Sequence, residues 1–153
     1  MYRKHTIVVM LSLLAFFVAI VRHEGKATER HQDNPAGERR IRLTFDGGEA
    51  IVTIRDHPIS REFLSRLPMT LNFKDYIGKE KIGHLASKLP SDGSSPIASG
   101  DFAYYAPWGN LAIFYDGTGH AGAGLIILGI IESGKEALAK MTSDFIMTLV
   151  LVD

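Results

Sequence analysis

The sequence predicts a mostly β fold, a closed or nearly closed antiparallel eight-stranded barrel with two short helices. Three observations carry this. After residue 40, apolar and polar residues alternate with period two in segment after segment. The turns between these segments are too short for parallel crossovers. Antiparallel strands in that number favour closure, which removes exposed edges.

The elements follow in order. In "RIRLTFD" Ile41, Leu43 and Phe45 point one way while Arg40, Arg42 and Thr44 point the other. Gly47-Gly48 suits a tight hairpin and "EAIVTIR" returns as its partner. Pro58 fits a first helical turn, Ile59, Phe63, Leu64 and Leu67 recur at helical spacing, and Pro68 stops the segment. "MTLNFK" resumes period two, "IGHLA" is a short strand or edge, and "SKLPSDGSSPIASG" has loop composition. "DFAYYA" and "LAIFY" form a second hairpin around Pro107 to Asn110. "LIILGII" is continuously apolar, as expected of a strand buried on both faces or one closing a barrel. Ser133 and Glu136 stand at capping-box spacing before a short helix with Ala137, Leu138 and Met141, and "DFIMTLVLV" is the last strand. The two helices are placed to cap the barrel ends.

Ahead of this domain, Arg3-Lys4 precedes the apolar run Thr6 to Val21. That run would span about 24 Å as a helix, short of a bilayer core of roughly 30 Å. A basic start followed by a short apolar run is the pattern of a secretory signal, and Gly25-Lys26-Ala27 offers a small-x-small cleavage site. Residues 1–27 therefore read as a signal peptide, or as an anchor if uncleaved. Either places the domain outside the cytoplasm, periplasmic or secreted. Residues 28–39 are polar, with Pro35 and Gly37, and read as a linker to a domain at 40–153.

Lys plus Arg and Asp plus Glu balance at 17 each, so no basic surplus points to nucleic acid. The chain has no cysteine, which excludes disulfides, thiolate zinc sites and cysteine nucleophiles. His57, His84 and His120 lie in separate segments without ligand spacing, so no metal or cofactor is expected. "GTGHAG", Gly117 to Gly122, matches a dinucleotide fingerprint literally, but an apolar strand follows where that motif needs a helix. It reads as a glycine-rich hairpin loop that can flank a pocket.

At "DYIGKEKIGHL", "SGDFAYYAPWGNLAIFY" and "LGIIESGKEALAKM" the domain resembles the bacterial and archaeal cyclophilin-like domain family, from about Ile41 to the C-terminus. The resemblance implies an eight-stranded barrel related in fold to the peptidyl-prolyl isomerases, in a family whose members mostly have no assigned activity. The catalytic arginine of true cyclophilins lies in a Phe-His-Arg-Val-Ile-Pro string, followed by a Gln-Gly-Gly-Asp segment. This sequence has neither string. Its domain arginines fall at Arg40, Arg42 and Arg55 on strands and at Arg61 and Arg66 on the first helix.

The candidate site residues are those whose side chains strand packing does not demand. "DYIGKEK" sets Tyr76, Glu80 and Lys81 in one loop around Gly78, either an acid–base group or a solvated charged turn. In the second hairpin Phe102 and Tyr104 share one face and Ala103 and Tyr105 the other, while Leu111, Ile113 and Tyr115 oppose Ala112 and Phe114. Trp108 lies in the turn, where no strand face dictates burial, with Asn110 beside it. Tyr76, Glu80, Tyr105, Trp108 and Asn110 are thus the expected ligand-binding residues, with no catalytic residue assigned. The expected partner is a small molecule or peptide. A divergent prolyl isomerase and a membrane-anchored interaction module are the alternatives.

Overall fold

The structure, a computed structural model, describes residues 39–91, 93, 95–120 and 122–152. The targeting segment and most of the linker expected before Arg40 lie outside the described residues. The elements are β1 Arg39–Phe45, β2 Gly48–Ile54, α1 Pro58–Ser65, β3 Met69–Tyr76, β4 Glu80–His84, β5 Pro96–Ile97, β6 Asp101–Tyr105, β7 Asn110–Phe114, β8 Gly119–His120, β9 Leu125–Ser133, α2 Lys135–Ala139 and β10 Phe145–Val152.

Eight of the strands close into a barrel in the order β1, β10, β3, β4, β7, β6, β9, β2, with every pairing antiparallel. The remaining two strands, β5 and β8, pair with each other as a small separate sheet. β5 falls within the serine-rich stretch that reads as loop, and β8 within the "GTGHAG" stretch. Two residues per strand leave too short a pattern for alternation to reveal.

Alternation sorts the barrel as the sequence predicts. Ile41, Leu43 and Phe45 of β1, Phe102 and Tyr104 of β6, and Leu111 and Ile113 of β7 fill the interior. α1 presents Ile59 and Phe63 to this core, and Phe63 meets Phe102 with ring centroids 5.5 Å apart. α2 contributes Leu138 beside β2. Its start differs from the sequence reading. Ser133 ends β9, and the N-cap is Gly134 at φ 86°, with no side-chain cap. A Cβ at Gly134 would lie 2.1 Å from the Glu49 carbonyl oxygen, so close backbone approach decides the residue where capping chemistry was expected.

β9 joins β2 to β6, and its register shifts at Ile51/Val52 on one side and at Phe102/Ala103 on the other. Such bulges sharpen twist and help a sheet curl shut. At this seam a Cβ on Gly129 would stand 2.3 Å from the Thr53 carbonyl oxygen.

The segment around Gly78 is a hairpin, not a loop, and it splits the three groups that the sequence puts together. Lys81 points inward and is fully buried, whereas Glu80 faces out. Lys81 Nζ donates to Asp75 Oδ1 at 2.5 Å and to the Met141 carbonyl, and lies 4.4 Å from the centroid of the Tyr115 ring. The Tyr115 hydroxyl also donates to Asp75 Oδ1, at 2.6 Å, and the Gly78 N–H to Oδ2 at 3.0 Å. The lysine's partner is therefore Asp75 across the turn, not its neighbour Glu80. Burial works to raise the Asp75 carboxyl, but Lys81, Tyr115 and the Gly78 N–H outweigh it and hold it below its ordinary value. Burial first, then the Asp75 carboxylate, pushes the Tyr115 hydroxyl up to about 12.

Two outcomes follow for stability. Gly129→Ala should lower the denaturant midpoint by the equivalent of about 1–3 kcal/mol with the slope unchanged, since the opposing atom is backbone and cannot swing away. In the network, Asp75→Ala should cost about 3–5 kcal/mol because it leaves a buried ammonium without its counter-charge. Lys81→Met should cost less, since the Asp75 side chain keeps 24% exposure and its Tyr115 and Gly78 donors. The depressed Asp75 value adds a pH signature: its contribution is present above the ordinary carboxylate range and lost as pH falls through the folded value. Asp75→Asn should therefore flatten the acid limb of a stability–pH curve.

Candidate functional site

Three neighbouring strands of the barrel, β7, β6 and β9, carry apolar side chains on both faces, and β4 beside them carries Ile82 on its outer one. Outside the barrel, Ile82, Ala103, Ala112, Phe114, Leu125 and Ile127 form a second buried cluster, with Tyr76, Ile97 and Tyr105 packed against it. Ile97 belongs to β5, so the small β5–β8 sheet contributes to covering this outer face. Where the cover is incomplete, a cavity of about 270 Å³ remains.

Tyr76, Glu80, Tyr105, Trp108 and Asn110 all line that cavity, together with Ile82, Ile97, Phe114, Gly122 and Leu125. The structure thus gathers all five sequence-predicted residues at one place. The sequence reading missed the floor, Ile82, Phe114 and Leu125, although the phase of alternation puts Phe114 on the same face as Asn110. It also missed Ile97 of β5, whereas Gly122, just beyond β8, belongs to the glycine-rich loop expected to flank a pocket.

Each wall is held by its own element. Tyr76 ends β3 opposite Glu80, and Glu80 in turn stands opposite Phe114 on β7. Tyr105 closes β6, and the turn after it is tied by Gly109 N–H to the Tyr105 carbonyl at 2.9 Å, with Gly109 at φ 69°. His84 Nδ1 lies 3.3 Å from the Trp108 carbonyl, and the Lys88 ammonium donates to the Pro107 carbonyl at 3.0 Å. The Trp108 backbone is therefore fixed while its side chain leans back over the cavity. The indole meets Tyr76 at 5.7 Å and 84°, and Tyr105 at 5.6 Å and 76°. The residue remains 50% exposed. Core packing alone does not account for a tryptophan so placed.

Asn110 is not a turn residue. It is the first residue of β7 and only 1% exposed. Its Nδ2 donates to the Leu111 carbonyl at 3.0 Å, which fixes the amide orientation because a carbonyl can only accept. Oδ1 is left buried with no hydrogen-bond partner among the described residues. Such an orphan acceptor costs about 1–3 kcal/mol, so its retention beside a cavity calls for a donor brought from outside.

Glu80 is the other polar group of note. Burial pushes its carboxyl up to about 7. Among the described residues it has no hydrogen bond or ion pair; Lys81 faces the other way. Of the two readings of "DYIGKEK", the solvated charged turn does not hold, because Glu80 is half-buried and Lys81 pairs with Asp75.

The match to known proteins bears on this architecture. The Cyclophilin-like family model matches residues 43–150, most of the barrel. The chain belongs to the cyclophilin-like family. The solution structure of the hypothetical protein AF2241 from Archaeoglobus fulgidus is similar to this barrel, with a TM-score of 0.58 and 19% identity, over 76% of this chain and 98% of that one. At that identity the likeness concerns the fold alone. No curated protein matches the sequence.

Two further features of this cyclophilin-like barrel sit away from the cavity. A larger cleft of about 440 Å³ opens where β1 begins and β2 ends, lined by Arg39, Arg55, Asp56, Arg61 and Leu64 among others. Arg61 is already paired with Asp56 there, and both side chains are well exposed. The smaller cavity is the better candidate because its polar groups are withdrawn from water. His57 caps α1, its Nδ1 accepting the Ile59 N–H at 3.3 Å, and among the described residues no three His, Asp or Glu side chains gather in metal-holding geometry.

The raised Glu80 value makes a stability test. Between the unfolded value, 4.5, and about 7 the folded chain holds the proton more tightly than the unfolded one, so this group's contribution falls as pH rises through that window. Glu80→Gln, which mimics the protonated form, should leave the melting temperature unchanged near pH 4.5 and raise it above pH 7. Calorimetry of both proteins across the range checks this.

Proposed function

We propose that this cyclophilin-like barrel is an exported binding protein that takes a small molecule or peptide segment into the cavity under Trp108 and catalyses nothing. The carrying observation is the buried, unpaired Oδ1 of Asn110 at a cavity walled by three aromatic rings. Concave, mostly apolar sites with a few fixed polar groups are where small ligands bind, and this volume lies just under the common range of about 300–1,000 Å³, suited to a small group. None of the described lining residues is an arginine, the residue type that true cyclophilins use to hold the prolyl carbonyl. Export rests on the basic start, the short apolar run and the small-x-small pattern ending at Ala27.

The chain's single tryptophan lies in the cavity wall, so intrinsic fluorescence reports on this site without a label. A titration series of small fragments and short peptides should contain compounds that shift or quench the Trp108 emission, and Asn110→Leu should abolish the response. Trp108→Ala should cost only about 1–2 kcal/mol of stability, since half of the side chain is already in water. Unfolding by Trp108→Ala, with Glu80→Ala silent in every binding assay, would mark the residues as structural and end this reading. A protease-coupled proline-peptide assay should show no acceleration at micromolar protein; acceleration would put a prolyl isomerase in its place. N-terminal sequencing of the secreted protein should begin at Thr28, and an intact N-terminus held in the membrane fraction would indicate an anchored module.

A further inference from the structure

Among the described lining residues, the cavity has one carboxyl group, one buried amide oxygen, two tyrosines and an indole, and no cationic side chain. Its polar character is that of an acceptor. An anionic ligand would meet the Glu80 carboxyl and no counter-charge. A purely apolar one would bury the Asn110 oxygen for good and leave the carboxyl unpaired, each at the desolvation cost of a lost hydrogen bond. A ligand that brings N–H donors and positive charge answers both. The aromatic walls act in the same direction, because ring faces attract cations and the effect grows as water is removed.

Register locates the charge. Tyr76 and Phe114 flank Glu80 as its cross-strand partners, and Trp108 packs against Tyr76. Asn110 lies four residues along β7 from Phe114, so roughly 13 Å separates the two polar positions at about 3.3 Å per residue. One ammonium cannot reach both. Resting on the binding function proposed above, we infer that the cavity takes an elongated organic cation, with its protonated amine held between the Glu80 carboxyl and the Tyr76 and Trp108 rings and its other end toward Asn110. The amine can belong to a free small molecule or to a lysine side chain of a peptide.

Three isosteric probes separate charge from shape: phenethylammonium, 2-phenylethanol and phenylacetate, each titrated at pH 8 with Trp108 emission as the readout. A blocked Ala-Lys-Ala tripeptide tests the peptide source. Phenethylammonium or the tripeptide should bind at least about tenfold more tightly than the neutral and anionic probes, as a charge-assisted contact gives. Tighter binding of the tripeptide assigns the amine to peptides, and tighter binding of phenethylammonium assigns it to small molecules. Glu80→Gln should remove that advantage and leave 2-phenylethanol unaffected.

Affinity for the cation should also rise as pH increases from 6 to 8, while Glu80 ionises, and Glu80→Gln should flatten the rise. The other ionisable groups on the elements around Glu80 are Tyr76 on β3, Tyr105 on β6, His84 further along the outer face of β4 beside the Trp108 carbonyl, and Lys79 in the turn and Asp116 beyond β7, the last two bordering the adjoining cleft. Equal binding of all three isosteres, or an ammonium advantage that survives Glu80→Gln, overturns the cation assignment and leaves the binding cavity standing. Silence of the isosteres and the tripeptide alongside hits from the wider fragment series does the same. Silence of both sets overturns the cavity as a site altogether.

Discussion

The face that carries the cavity depends on the closure of eight antiparallel strands around one core. Three consecutive strands in the ring, β7, β6 and β9, are apolar on both sides, and β4 next to them is apolar on its outer side at Ile82. The inner side is satisfied by the barrel. The outer side, with Ile82, Ala112, Phe114 and Leu125, has to be kept from water by something else. The cover comes from the β5–β8 pair and from the aromatic residues at the ends of β3 and β6 and in the β6–β7 turn. Cover assembled from such pieces does not close completely, and the gap is the cavity.

The same closure explains how two carboxylates five residues apart acquire opposite electrostatics. Asp75, on β3, keeps the inward phase of Phe73 and reaches Lys81 from the barrel side, where two other donors join it. Glu80, next to Lys81 in sequence, is sent by the pleat to the outer face, where it is half-buried and has no ion pair among the described residues. One carboxyl is held below its ordinary range by its donors and the other is pushed up to about 7 by burial. A strand's period of two produces this divergence with no special local chemistry. The Lys81–Asp75–Tyr115 cluster also ties the β3–β4 hairpin to the end of α2 through the Met141 carbonyl, which steadies the hairpin that presents Tyr76 and Glu80.

How much of this was legible in the sequence depends on which physical signal each feature leaves. The barrel strands and both hairpins were readable because alternation and turn residues repeat over five or more positions. The inward phase of Asp75 was present in "MTLNFKDY" too, but a carboxylate is not expected inside until its lysine is known to come back across the turn. Ser133 looked like a cap because the pattern tests side-chain chemistry, whereas Gly134 is there for backbone clearance against Glu49, a contact distant in sequence. β5 and β8 left no pattern at two residues each. Tyr76, Glu80, Tyr105, Trp108 and Asn110 each stand out in the sequence as side chains that strand packing does not need. Their convergence on one cavity comes from the closure of the barrel.

Trp108 and Asn110 then take different roles from those that a turn would give them. Asn110 is a strand residue whose amide nitrogen is spent on the next carbonyl, leaving an oxygen with no partner among the described residues. Trp108 is held by its backbone, so its side chain can remain half in water without loosening the turn. On the proposed binding function, an indole already packed against Tyr76 and Tyr105 would lose little conformational freedom to a ligand, and such preorganisation favours affinity. Fold alone assigns no chemistry to such a barrel. Here the described lining of the cavity has acceptors and aromatic surface and no cationic side chain, and on the proposed binding function that charge would come with the ligand.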